Sequence, residues 1–166
     1  MTAPFGCVGG DEVEPSARRK TGALASPARW LGFAGLAPQV ILAGIVIAGP
    51  ANLSPVARQV ALAYAGAILS FIGGAWWGIA SSAGMKARWW AWFAAVIPSL
   101  IGFAAMGAPA FGVAVSAGLI VTGISLIASL GIDYKFAQSS STPAGWLSLR
   151  TVLSLGLGGL TIAIAF

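Results

Sequence analysis

The chain has 166 residues, of which 58% are hydrophobic and 8% are charged, and its mean hydropathy is +0.89. Soluble globular proteins carry about 25% charged residues, so this composition excludes a water-soluble globular domain. After Trp30 the few charged residues are Arg58, Lys86, Arg88, Asp133, Lys135 and Arg150. An α-helix needs about 20 apolar residues to cross a bilayer, and several intervening stretches reach that length. The sequence therefore predicts an all-α, multi-pass membrane helix bundle.

Charge and residue usage also exclude several functions. The net charge of +5 comes from basic residues clustered in short polar segments. We interpret them as topology signals and expect no nucleic-acid binding. Cys7 is the single cysteine and histidine is absent, so neither an internal disulfide nor a Cys/His zinc site can form. The sequence has no G-x-S-x-G or P-loop pattern and no second carboxylate within the membrane. We therefore expect no enzymatic activity, no cofactor and no metal.

The N-terminal half begins with a polar segment and continues into two predicted helices. Residues 1–29 are rich in Pro, Gly and small polar residues and hold three of the four acids, so we expect disorder there. The first predicted helix covers 30–49, because Gly49 and Pro50 begin a run of turn-forming residues. The second covers 56–80 and ends before a short polar loop that contains two cations.

The rest of the chain predicts three more helices. Residues 89–132 are uncharged, and 44 residues are too many for one crossing. The sequence Gly-Ala-Pro at 107–109 is the expected corner, which leaves a third helix at 89–106 and a fourth at 110–132. A fifth helix, at 146–166, follows a Ser-rich loop, so five transmembrane helices are predicted.

The basic residues predict the orientation of these helices. Eight of the nine lysines and arginines flank one side of the predicted membrane, and only Arg58 lies on the other. The positive-inside rule then places the N-terminus in the cytoplasm and the C-terminus across the membrane. The early acids argue against a mitochondrial transit peptide, and no short hydrophobic region with a cleavage site precedes the first helix. A bacterial inner membrane fits best.

Small residues recur every four positions along the second predicted helix, at Gly66, Ser70, Gly74 and Gly78. Such a stripe lets another helix approach closely, so we expect it to be a packing surface; the alternative is a groove that holds a substrate. Of the adjacent Trp76 and Trp77, one must point inward, because neighbouring helical positions differ by about 100°. Trp77 is the expected one, since Gly74 and Gly78 flank its face.

Four further polar residues are candidates for structural or functional roles. Asp133 and Arg150 are predicted at the same cytoplasmic depth, where a salt bridge would fasten the fourth and fifth helices; the alternative is a hydrated Asp133 and an Arg150 that contacts lipid phosphate. Gln39 follows Pro38 and is expected to cap the carbonyl that the proline frees. Tyr64 is a further candidate, and Arg58 is expected to contact headgroups.

Several of these residues form blocks that resemble a known family. The blocks are LGFAGLAP at 31–38, YAGAILSFIGG at 64–74 followed by Trp77-Gly78, and Asp133 with Trp146 and Leu149-Arg150. From about residue 30 onward the chain is similar to the transmembrane protein 69-like family (domain of unknown function 3429). The resemblance implies a multi-helix inner-membrane protein and brings no activity, substrate or cofactor with it.

Two functional hypotheses follow. The first is a non-enzymatic structural, assembly or partner-binding factor, whose partners are the lipid bilayer and a second membrane protein or a second copy. The second is a small transporter or channel subunit with a pathway beside the second helix. A dry, packed helix favours the first, and a wet cavity lined by Ser70, Tyr64, Gln39 or Trp77 favours the second.

The predicted topology is testable with reporter fusions. A reporter active only outside the cytoplasm should work when fused after Phe166 and fail when fused near Ser140, because the positive flanks stay inside. Activity measured in intact cells checks this expectation. The opposite pattern would overturn the orientation.

Overall fold

The computed structural model describes residues 26–82, 89–138 and 145–166. The elements in these ranges are α1 (Ser26–Ala34), α2 (Ala37–Ala48), α3 (Ser54–Ser82), α4 (Trp89–Gly107), a 3-10 helix (Ala108–Phe111), α5 (Val115–Ala137) and α6 (Trp146–Ala163). Within the described part of the chain, five helical stretches are long and apolar enough to cross a membrane, and α1 and α2 together form the first. The structure thus confirms the predicted all-α membrane fold.

The first helix begins earlier than the sequence predicted. Residues 1–25 of the segment expected to be disordered lie outside the described residues, but α1 already starts at Ser26 rather than at Trp30. Pro27 occupies the first turn, where its missing N–H costs no intrahelical hydrogen bond. Helix formation at residues 26–29 therefore corrects the expected disorder there.

A break at Gly35 and Leu36 divides the first span, which the sequence predicted as one helix. The amide of Gly35 still bonds back to the carbonyls of Leu31 and Gly32, both at 3.1 Å, and α2 then starts anew with Pro38 in its first turn. Proline is tolerated there because that position needs no donor. The Tyr64 hydroxyl of α3 donates to the Gly35 carbonyl at 2.5 Å, so the break is bonded to a neighbouring helix.

The predicted corner after α4 is a 3-10 helix, and Gly112 ends it with a φ of +84° that suits glycine. The next helix, α5, continues past the predicted end at Ile132 to Ala137. Asp133 therefore lies inside the helix instead of after it. The prediction ended this helix at its first charge, whereas the buried carboxylate is compensated by side chains from α3 and α6 and lets the helix continue.

The central helix of the bundle is α3, the second predicted span. It contacts α4 most extensively, and it also packs against α5, α2 and α6. Its inward side chains Leu69 and Ile72 are fully buried together with Leu126 of α5, and they form the core with smaller residues of α4. A second apolar cluster around Leu119 joins α5 to the far ends of α2, α3 and α6.

Glycines on α3 and α4 set the closest helix approach. A Cβ added at Gly73 would overlap the carbonyl oxygen of Ala95, and one added at Gly102 would lie 2.9 Å from the carbonyl oxygen of Gly66. Gly66 and Gly73 are seven residues apart, so they differ by only about 20° around the helix and both face α4. Close van der Waals packing is what holds helices together in lipid, and here glycine provides it.

The predicted packing stripe is therefore wrong for three of its four residues. Gly66 is buried, but Ser70, Gly74 and Gly78 are exposed, and a Cβ at Gly74 or Gly78 would meet nothing within 4 Å. A spacing of four residues rotates by about 40° per step, so the stripe starts at the α4 contact and then crosses to the outer surface. Seven-residue spacing keeps the buried glycines on one face.

A second glycine contact joins α5 to α6. A Cβ at Gly123 would lie 2.9 Å from the Gly158 carbonyl oxygen, and a Cβ at Gly158 would lie 2.8 Å from the Gly123 carbonyl oxygen. The two backbones therefore cross with no space for a side chain on either helix. This contact holds α6 close enough for its polar side chains to reach residues of α5 and α2.

Neighbouring glycines on α3 provide a matched test of this packing. Gly73→Ala should lower the melting temperature of the detergent-solubilised protein, because a shift of α4 away from the new methyl group costs about 1 to 3 kcal/mol. Gly74→Ala should leave it unchanged or raise it, because alanine favours a helix over glycine and meets no neighbour. Equal losses of melting temperature from both substitutions would contradict the burial of Gly73 against α4 and the exposure of Gly74.

Candidate functional site

A buried carboxylate lies at the centre of the most polar site in the described residues. Asp133 is fully buried, at 0% exposure, and its side chain contacts two other helices. The indole Nε1 of Trp76 donates to Oδ1 at 2.7 Å, and Nε of Arg150 donates to Oδ2 at 3.0 Å. Arg150 Nη2 lies 2.8 Å from the same Oδ2, as an ion pair without an aligned hydrogen bond. The cluster joins α3, α5 and α6 through one side chain of each.

The structure thus forms the Asp133–Arg150 pair that the sequence predicted, and it adds Trp76, which the sequence analysis did not select. Trp76 is 2% exposed, whereas Trp77 is 49% exposed and packs edge-on against Trp92 of α4. The prediction that Trp77 points inward is therefore wrong. It relied on Gly74 and Gly78 as buried neighbours, and both lie on the outer surface.

Aromatic rings and a second cation surround the carboxylate cluster. Trp76 and Trp90 both pack against the buried Phe136, with ring centroids 6.2 Å and 5.3 Å apart. The Lys135 ammonium lies 5.8 Å from the Trp90 ring centre, and the Arg150 guanidinium lies at the same distance from the Trp146 ring centre. Stacked rings exclude water and lower the local dielectric constant, which strengthens the ion pair they enclose.

A second buried polar contact joins α2 to α6. Gln39 is fully buried, and its Nε2 donates to Oγ1 of Thr161 at 2.9 Å. Thr161 uses its own hydroxyl hydrogen on the Leu157 carbonyl at 2.7 Å, so it must accept from the amide nitrogen of Gln39. The expectation that Gln39 caps the carbonyl freed by Pro38 is wrong, because the amide nitrogen of this side chain donates to α6 instead.

Arg58, at the other end of α3, makes a contact that the sequence did not predict. Its Nη2 donates to the backbone carbonyl of Phe166 at 3.1 Å, and this contact is exposed. The guanidinium thus joins the end of the described helical region to the start of α3. The headgroup contact expected for this side chain stays a prediction.

The outer face of α3 is the other candidate functional surface. Exposed small residues follow it at spacings of three or four: Ala63, Ala67, Ser70, Gly74, Gly78 and Ser81. These spacings average 3.6 residues, so the residues stay on one face for about five turns. The exposed rings of Phe71 and Trp77 lie along its two sides. We call this surface the outer α3 face.

The structure does not bring together the four candidate lining residues of a transport pathway. Ser70 and Trp77 lie on the outer surface, Tyr64 contacts the break before α2, and Gln39 contacts α6. None of them lines either of two apolar clefts, one between α1, α3 and α6 and the other between α3, α4 and α5. The single carboxylate after residue 14 is held by two donors from neighbouring helices. This arrangement is a clamp between helices.

Residues 24–166 match the family described as "Protein of unknown function (DUF3429)", so the chain belongs to this family. No curated protein and no solved structure matches the chain. Family membership therefore agrees with the resemblance seen in the sequence blocks and assigns no activity.

A double-mutant cycle tests the carboxylate clamp. Asp133→Ala and Arg150→Ala should each lower the melting temperature, because each leaves a buried charge without its partner. The double variant should lose less than the sum, with a coupling of about 0.5 to 3 kcal/mol between contacting residues. Strict additivity, measured by thermal unfolding in detergent, would contradict a direct pair.

A matched pair of substitutions tests the role of Trp76. Trp76→Phe keeps an aromatic ring but removes the Nε1 donor to Asp133, so it should be destabilising. Trp77→Phe changes an exposed ring and should have a smaller effect on the melting temperature.

Proposed function

We propose that this member of the DUF3429 family is a non-enzymatic protein of the bacterial inner membrane, and that it acts by binding a transmembrane helix of another membrane protein on the outer α3 face. The observation that carries the proposal is the exposure of Ser70, Gly74 and Gly78 on the central helix of the bundle. The chain itself does not cover these residues: a Cβ at Gly74 or Gly78 meets no atom within 4 Å among the described residues.

The shape of this face supports a helix as the occupant. Small residues form the midline of this face, and the larger exposed side chains of Phe71 and Trp77 lie along its edges. The face is therefore a shallow groove. A groove of this form lets another backbone approach closely, which favours association through van der Waals contact in lipid. The buried Gly66 and Gly73 of the same helix already receive α4 in this way. The outer face repeats that geometry, and none of the described helices lies on it.

The chemistry of the face supports an apolar partner. No charged residue occurs in the sequence between Arg58 and Lys86, which includes the whole face. A charged or strongly polar segment would lose its hydration there without gaining a partner. The occupant is therefore a hydrophobic transmembrane helix. The engagement of Asp133 by Trp76 and Arg150 supports the non-enzymatic part of the proposal, because this carboxylate is already bonded by neighbouring helices.

Site-specific photocrosslinking in living cells tests the proposed contact. A photoreactive residue at Ser70 should give a discrete adduct with one membrane protein, and mass spectrometry should map the adduct to a transmembrane helix of that protein. The same residue at Ile124, an exposed position on α5, should give lipid adducts only. An adduct of twice the chain mass would identify a second copy as the occupant in place of a different protein.

A paired substitution connects the adduct to the small residues. Gly74→Leu combined with Gly78→Leu should abolish the adduct while the melting temperature stays unchanged, because both positions are open in the isolated chain. Ile124→Leu is the matched control and should leave the adduct intact. Only lipid adducts at Ser70, or an adduct that survives the paired substitution, would overturn the proposed contact.

A further inference from the structure

A cleft between α1, α3 and α6 combines an apolar wall with two polar groups at one end. Its volume is about 180 Å³. The wall is formed by Ile68, Ile72, Leu126, Leu153 and Leu157. Arg150 and Ser154 also line it, and they lie one helical turn apart on α6. The apolar part extends from these two residues toward the middle of the membrane, where Leu157 lies about three turns into α6.

Ser154 is unusual among the buried hydroxyls of the described residues. Thr122, Ser129 and Thr161 each donate to a carbonyl of their own helix at 2.6 to 2.7 Å. Ser154 is 2% exposed, and its Oγ has no partner among the described residues. A buried hydroxyl without a hydrogen bond costs about 1 to 3 kcal/mol. The hydroxyl of Ser154, a residue that lines this cleft, is therefore free to donate to an acceptor that enters it.

Arg150 lies closer than Ser154 to the predicted cytoplasmic interface. Its Nε and Nη2 contact one oxygen of Asp133, and a guanidinium carries five N–H groups in total. Nη2 makes no aligned hydrogen bond with any described residue. Moving inward along α6, the cleft thus presents a cation with unused donors, then a free hydroxyl, then an apolar wall.

We propose that the cleft binds one glycerophospholipid molecule. Its phosphate accepts from Arg150 at the interface, and one ester carbonyl accepts from the Ser154 hydroxyl, which lies one turn, or about 6 Å, deeper. One acyl chain lies along the leucine and isoleucine wall. The order of groups in such a lipid, phosphate then ester then hydrocarbon, matches the order of residues along the cleft.

A second cleft of similar size lacks the free polar groups that line the first one. It lies between α3, α4 and α5, has a volume of about 220 Å³, and is also mostly apolar. Its serines, Ser125 and Ser129, donate to the carbonyls of Val121 and Leu126 at 2.8 and 2.6 Å. They therefore need no outside acceptor, and no cation among the described residues lines that cleft. Hydrocarbon can fill it, but it has no group that would hold a headgroup.

Lipid retention by the purified full-length chain tests the proposal. The protein is reconstituted in phosphatidylglycerol and phosphatidylcholine vesicles that contain a phospholipid with a photoreactive acyl chain, and retained lipid is measured by native mass spectrometry. We expect one tightly held phospholipid and acyl-chain labels on the α1, α3 and α6 residues of the cleft. Diacylglycerol with the same chains, which lacks the phosphate, should be held more weakly. Competition by millimolar inorganic phosphate would overturn a lipid in favour of a free anion.

Serine variants keep the test independent of folding. Ser154→Ala should reduce phospholipid retention about fivefold, the effect of one neutral hydrogen bond. In lipid-free detergent it should not lower the melting temperature, because it removes an unpaired buried hydroxyl. Ser129→Ala in the second cleft is the control and should leave retention unchanged. Equal retention by Ser154→Ala and the unaltered chain would overturn the proposal, as would a melting-temperature loss without lipid.

Discussion

The arrangement of three helices depends on one buried negative charge. A carboxylate with no exposure in an apolar membrane domain is strongly unfavourable unless donors surround it. Asp133 meets this requirement through Trp76 and Arg150, which come from different helices. Because both contacts must form together, they fix the rotation of α3 and the depth of α6 relative to α5. The glycine crossings then bring the backbones into contact within that register.

The sequence predicted the membrane spans well because hydrophobic length is a local property. Five apolar stretches, the corner near Pro109 and the shared depth of Asp133 and Arg150 all follow from spacing along the chain. The break at Gly35 was missed because the apolar pattern continues through it. In a sequence, a proline that starts a helix cannot be told from one that kinks a helix, because the neighbouring helices are not known.

The rotation of each helix could not be predicted in the same way. In a soluble protein, polar residues mark the outside of a helix, but the outside of α3 faces lipid and is as apolar as its inside. The sequence pattern therefore favours Trp77 over Trp76, and the stripe through Gly74 over the pair formed by Gly66 and Gly73. The inner face of α3 differs from its outer face in that the backbone of another helix approaches its glycines. This contact depends on the positions of both helices, which one helix's sequence does not contain.

The contact between Gln39 and Thr161 has a consequence for the biogenesis of the protein. The two residues are 122 positions apart, and one belongs to the first span while the other belongs to the last. At about 5 to 20 residues per second, Thr161 is synthesised roughly 6 to 24 s after Gln39. During that interval the first span holds a polar amide without its final partner. Its lasting attachment to the bundle therefore follows the synthesis of Thr161 and cannot precede the emergence of α6 from the ribosome.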